Sequence, residues 1–391
     1  MLEGLDLVDW KSLQHAYGSA IDTPQYIRLL ASADEGERKK AYDHLISAVN
    51  HQGSVYSVTP AVVPFLIELL NDQNTPERHN ILRLLISFVE SCNEHLYVIE
   101  NALDPISIGI FQIQMQTYNH VASGLDVYIR LLTSEISPLR RNAAQLFKAF
   151  VDRTEQIRPA LWAALQSETD AETLCIMLDS FATHLATTRS GALYSDYFTE
   201  LCKTHSDKAV RLQAAMSLII SSPRDFVGVP NAVPDFVIDI LIDALNFPTT
   251  YGLGLFSGEI DILKCFYTLG DKGMERALQS KAITTQPAHL IARLMLDRAF
   301  DGRGKPLRRD PIYDWEKYQV YGKVLGGFKG QYDFPREDRT YRPGTPLNPL
   351  QRQTLEQIIA CEPFWKMKTN LFSFFFGLPD ERNTLKQLLS K

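Results

Sequence analysis

The sequence predicts an all-α fold, an α-solenoid of about seven antiparallel helix pairs, and three observations carry that expectation. Apolar residues recur at helical spacing in runs separated by short polar turns. A template of an Arg followed three and four residues later by small or aliphatic residues returns along the chain. Finally, 391 residues that are 45% hydrophobic exceed the usual single core, so the chain either divides or grows in one dimension by stacking.

The elements follow in order. Residues 9–32 read as a first outer helix, with Asp22 or Thr23 as its cap and Pro24 at the first helical position. After the turn SADEGE, the run RKKAYDHLISAV places Ala41, Leu45, Ala48 and Val49 on one face. The polar connector HQGSVYSVTP, the apolar helix PFLIELL, the break NDQNTP and the helix ERHNILRLLISFVE complete the stretch 41–90. Two such helices cannot bury their apolar sides alone, so neighbouring pairs must cover them.

The template reads Arg38-x-x-Ala41, Arg78-x-x-Ile81, Arg140-x-x-Ala143-Ala144 and Arg211-x-x-Ala214-Ala215. Arg38 to Arg78 is 40 residues and Arg140 to Arg211 is 71, one helix pair and about two. The 62 residues from Arg78 to Arg140 imply an insertion. An acid precedes each Arg, namely Asp34, Asp72, Glu135 and Asp207, and the expectation is a structural ladder of carboxylates and guanidiniums along successive turns. Small Ala pairs let neighbouring helices approach.

Further helix pairs are expected to about residue 300, which bounds a solenoid of residues 1–300. Residues 301–346 hold five Pro, seven Gly and eight aromatics, the composition of an irregular arm packed on the solenoid. That arm is +3 while the remainder of the chain is -9. Residues 347–391 return to helix and read as a C-terminal cap, with Phe372, Phe374, Phe375, Phe376 and Leu378 sealing the end of the stack.

The strings DWKSLQHAYGSAIDTPQYIRLLAS, HQGSVYSVTPAVVPFLIELL and YNHVASGLDVYIRLLTS, with LNPLQRQTLEQII and FGLPDERNTLKQLL near the end, resemble a group of bacterial HEAT-repeat proteins. The resemblance implies a HEAT-like or armadillo-like superhelix, and it brings no common catalytic motif with it. Solenoids of this kind usually bind partners on the concave face.

Composition restricts the partners. A net charge of -6 disfavours a surface that tracks a nucleic-acid backbone throughout, which requires clustered Lys and Arg. Cys92, Cys175, Cys202, Cys265 and Cys361 lie far apart with no CxxC pair, and they read as reduced thiols of a cytoplasmic protein. The start MLEGLDLVDW is acidic where an export signal would be basic, and residues 105–125 are too polar to cross a bilayer, so no membrane association is expected.

None of the nine His is followed by Glu, as the His-Glu ligands of HEAT-type iron hydroxylases would require, and HExxH and paired-Cys zinc spacings are absent. Gly322 to Gly330 matches neither phosphate-binding glycine motif, and no GxSxG occurs. The expectation is therefore a protein without cofactor, metal or catalytic residues. Two sets of binding candidates remain. His51, Gln52 and Tyr56, with Tyr118 and His120 at a later junction, combine imidazole, amide and phenol near helix ends, where the plainer reading is helix capping. Arg303, Arg308, Arg309, Tyr313 and Trp315 interleave cations with aromatics in the arm, where the plainer reading is packing.

The functional expectation is a non-catalytic protein-binding scaffold, an adaptor, inhibitor or immunity-type protein whose acidity suits a basic partner. The alternative is a nucleic-acid binding or modifying protein that closes the 303–315 segment over its substrate, and a purely structural spacer is the third reading.

Overall fold

A computed structural model describes residues 2–99, 105–222, 233–247, 257–300, 341, 344–367 and 376–390. The chain is all-α, and its described residues fall into two compact units, one ending at Thr187 and the other beginning at Thr188. Arg303, Arg308, Arg309, Tyr313 and Trp315, like Phe372, Phe374 and Phe375, lie outside the described residues. No helix among the described residues is long and apolar enough to cross a membrane.

The first unit opens with two small hairpins, β1 (Gln14–His15) with β2 (Gly18–Ser19), and β3 (Asn50–His51) with β4 (Ser54–Val55). Between and after them run α1 (Thr23–Leu29), α2 (Glu35–Ala48), α3 (Thr59–Asn71), α4 (Arg78–Ile99), α5 (Pro105–Ala122), α6 (Leu125–Leu131), α7 (Ser137–Phe147), α8 (Thr154–Leu165) and α9 (Ala171–Thr188). The expected helix over 9–32 is thus a hairpin followed by a two-turn helix. Two-residue strands are too short to show alternation, so a reading by helical period passes over them. Around them the expected faces hold: Ala41, Leu45, Ala48 and Val49 are fully buried. Helix α2 packs on α1 and α4, α3 on α4 and α5, and α4 on α7. The insertion between Arg78 and Arg140 is supplied by the length of α4 and by α5.

The second unit contains α10 (Ser195–Thr204), α11 (Lys208–Ser221), α12 (Asp235–Asn246), α13 (Ser257–Gln279), α14 (Thr285–Phe300), α15 (Pro349–Ala360) and α16 (Arg382–Leu389). Helix α13 breaks at Gly270, where the backbone leaves helical geometry. Asn348 and Gln351 form a reciprocal capping box that starts α15. Helix α15 packs on α13 and α14, His289 of α14 stacks on Phe364 with ring centroids 4.1 Å apart, and Phe376 and Leu378 are buried.

The charge ladder uses other acids than those expected. Arg38 pairs with Glu77 at 3.1 Å and donates to the carbonyls of Ser32 and Ala33. Arg140 repeats this arrangement, pairing with Glu168 at 2.7 Å and donating to Ser134 and Glu135. Each guanidinium clamps the turn before its own helix to a carboxylate in the turn before the helix two further on, α4 for Glu77 and α9 for Glu168. Asp34 and Asp207 are instead occupied as helix caps, accepting from the N–H of Glu37 and of Ala209. Asp72 accepts from the Asn74 N–H, Arg78 reaches only the Leu70 carbonyl, and in the fourth repeat Lys208, rather than Arg211, meets Asp243 at 3.4 Å.

Cys92, Cys202, Cys265 and Cys361 are buried and Cys175 is half-buried. Burial pushes the Cys92 and Cys202 thiols up to about 12, which leaves them protonated and unreactive at neutral pH.

Candidate functional site

The two hairpins of the first unit are copies of one motif. His15 and His51 are 36 residues apart, as are Thr23-Pro24 and Thr59-Pro60, so each copy runs from a histidine through a tight turn to a Thr-Pro helix start. In the second copy Gln52 at φ 51 and Gly53 at φ 75 make the two-residue turn with both central residues left-handed, which matches strand twist. Strands of two residues do not stand alone in water. They are anchored to the helical body by Ala16 N–H to the Ala48 carbonyl, Val58 N–H to the Gln14 carbonyl, and Gln14 N–H to the Ser57 hydroxyl. Thr59 adds a buried link, its hydroxyl donating to Val49 while accepting from the Tyr56 N–H.

A polar cluster lies beneath the first hairpin. His15 is buried, and its Nδ1 accepts the Tyr17 N–H at 3.0 Å, so its proton sits on Nε2, which donates to Asp22 Oδ1 at 3.1 Å. The other carboxylate oxygen of Asp22 lies 3.4 Å from His44 Nε2. That nitrogen is shielded from solvent and has no hydrogen-bond partner. Tyr26 stacks on the His44 ring with centroids 3.6 Å apart, and the His15 and His44 rings meet edge to face. Burial draws the His44 pKa below the usual histidine value, Asp22 opposes that shift, and His15 adds to it. His44 is therefore neutral at physiological pH. Asp22 or Thr23 was expected to cap α1; Asp22 stands at the cap position, but its side chain makes no cap bond and faces the two histidines instead.

Among the sequence candidates, His51 is half-buried, with Nδ1 3.0 Å from the Ser47 carbonyl and 3.3 Å from the Tyr17 hydroxyl. Gln52 is exposed at the turn and Tyr56 is half-buried beside it. Tyr118 and His120 do not join this group through any hydrogen bond. Tyr118 is buried, stacks edge-on against Phe150 and donates its hydroxyl to Asp152. His120 has a local structural task. Pro64 inside α3 has no N–H, which leaves the Pro60 carbonyl without its intrahelical donor. His120 Nδ1 supplies that donor at 2.7 Å. Replacing His120 by Ala is expected to destabilise the first unit by about 1–2 kcal/mol, and the cost should shrink in a Pro64→Ala background, where residue 64 regains its N–H. Additive urea-unfolding energies in that double-mutant cycle would reject the assignment.

Sequence reasoning missed His15, Tyr17, Tyr26 and His44. The signal that would have found His15 is the 36-residue recurrence of the histidine with the Thr-Pro pair. Elsewhere, shallow open clefts of about 200 Å³, lined partly by Arg78 and Arg130, and about 460 Å³, lined partly by Lys281 and Gln357, are bordered by surface turns.

The fold and the cluster together define a class, an all-α protein with a twin-hairpin, histidine-bearing edge on its N-terminal unit. Beyond that class, no protein-family model, curated protein or solved structure matches the chain.

Proposed function

We propose that the chain is a protein-binding scaffold of the HEAT-like α-solenoid type, which engages a basic protein partner along the edge formed by its two hairpins. The observation that carries this reading is that Tyr17 is 65% exposed and Ile21 66% exposed on backbone tied to the helical body by main-chain hydrogen bonds. A large aromatic and an aliphatic side chain held rigidly in water lose little conformational entropy on docking, which is how interface anchors act. His51, Gln52 and Tyr56 flank them as polar contacts. The solenoid reading is supported by successive helices packed on their neighbours and by the repeated Arg clamp at Arg38 and Arg140. The net charge of -6 favours a partner of opposite sign.

The test is capture of partners with the tagged chain and with a Tyr17→Ala, Ile21→Ser double variant, from cells that naturally produce it. The expected result is a stoichiometric basic protein whose recovery falls with salt and drops at least tenfold in a double variant that keeps its circular dichroism. Undiminished recovery by the double variant would remove the hairpin edge from the interface.

A further inference from the structure

We propose that His15, Asp22 and His44 form a binding site for one divalent transition-metal cation of the zinc type. The ligand atoms of the three side chains all lie within 4.8 Å of one another. Zinc bonds to imidazole nitrogen and carboxylate oxygen measure about 2.0–2.2 Å, so neighbouring ligand atoms of a tetrahedral site stand about 3.3–3.5 Å apart. Here Asp22 Oδ1 stands 3.1 Å from His15 Nε2 and Asp22 Oδ2 stands 3.4 Å from His44 Nε2, each separation close to a tetrahedral edge. Two imidazoles and one carboxylate are the donor set that zinc and its first-row neighbours accept, and they leave a fourth position for water.

The protein holds these groups at a cost that a cation would remove. His44 Nε2 is buried without a hydrogen-bond partner, and only 20% of the side chain is exposed. An orphaned ring nitrogen aimed at a carboxylate is satisfied by a cation placed between them. The Asp22 side chain is 40% exposed, which gives the ion its entry path, while Tyr26 against the His44 ring fixes the ligand's orientation. The spacing of 7 and then 22 residues matches no short metal motif, because one ligand comes from a hairpin, one from the turn before α1 and one from α2.

Occupancy has a consequence for the hairpin. His15 bound through Nε2 moves its proton to Nδ1, where the Tyr17 N–H now donates across 3.0 Å. Two N–H groups cannot share that gap, so the cation displaces the hairpin tip and frees the Tyr17 amide.

The experiment titrates Zn²⁺ into chelator-stripped full-length protein by calorimetry, with Asp22→Asn, His44→Gln and His51→Gln variants. One equivalent should bind the wild type, with affinity reduced at least about tenfold in Asp22→Asn and His44→Gln and retained in His51→Gln. Hydrogen exchange at the Tyr17 amide should accelerate with the metal. Equal affinity in wild type and His44→Gln, or loss only in His51→Gln, would assign the binding to surface histidines and overturn the site. Should a variant fail to fold, Co²⁺ added to the wild type decides: the visible spectrum of a nitrogen-ligated tetrahedral ion is expected, and its absence rejects the proposal.

Discussion

Replacing Arg140 by Ala is expected to lower the unfolding free energy of the first unit by about 3 kcal/mol, or its midpoint temperature by roughly 6–12 °C. The guanidinium makes two bonds to Glu168, Nε to Oε2 at 2.7 Å and Nη2 to Oε1 at 2.8 Å, and Nη1 holds the carbonyls of Ser134 and Glu135. The Glu168 side chain is only 2% exposed. Burial acts to raise the pKa of that carboxyl, yet Arg140 and the N–H groups of Asp170 and Thr169 together hold it below the usual carboxylate range. Without Arg140 the charge stays buried with its two amide donors alone, and removing one partner of such a pair costs far more than the pair itself contributes. The same substitution at Arg28, whose pair with Asp6 is 46% and 77% exposed, should change stability by no more than about 0.5–1 kcal/mol. Lysine cannot replace Arg140, because one ammonium does not span four acceptors. Urea unfolding followed by circular dichroism measures both variants. A loss below about 1 kcal/mol for Arg140→Ala would mean that water reaches Glu168 freely and that the clamp is not structural.

Stability is expected to fall as the pH drops below about 6.5, and His184 is the main reason. This side chain of α9 is fully buried, with Nε2 donating to the Phe147 carbonyl at 3.1 Å and Nδ1 2.7 Å from the Thr154 hydroxyl. Burial lowers its pKa from 6.5 to about 4, against the pull of the Phe147 carbonyl. In the unfolded chain the imidazole takes a proton near pH 6.5, whereas in the folded protein it stays neutral to about 4. The stabilisation is therefore complete above pH 6.5 and is lost as pH falls toward 4, a change of about 3 kcal/mol by linkage. His44, His79 and His289 are depressed in the same direction and add to the slope. Unfolding free energies of the wild type and His184→Gln from pH 7 to 4 separate the contributions. The variant should show the shallower acid limb, and parallel limbs would show that His184 is not the group responsible.

Much of the helical plan was legible because long amphipathic segments carry their period in the letters. The Ala41–Val49 face and the Ala143–Ala144 and Ala214–Ala215 pairs are buried as their spacing predicts, and helix returns after residue 347. The partners of the charges were not legible. Arg38 takes Glu77, 39 residues away, in place of the nearby Asp34, because Asp34 is already committed to the free N–H groups at the start of α2. Local capping won over the ion pair.

By itself the sequence determined the all-α class, the faces of the helices, and the position of the Arg at the start of each repeat. Those are properties of local period and side-chain size, which each segment carries on its own. Only the tertiary structure decided that the Asp22 side chain makes no cap bond and faces His15 and His44, and that His120 answers the carbonyl orphaned by Pro64. Such pairings join groups that are up to 60 residues apart, and they exist only where packing brings buried donors and acceptors within hydrogen-bond reach.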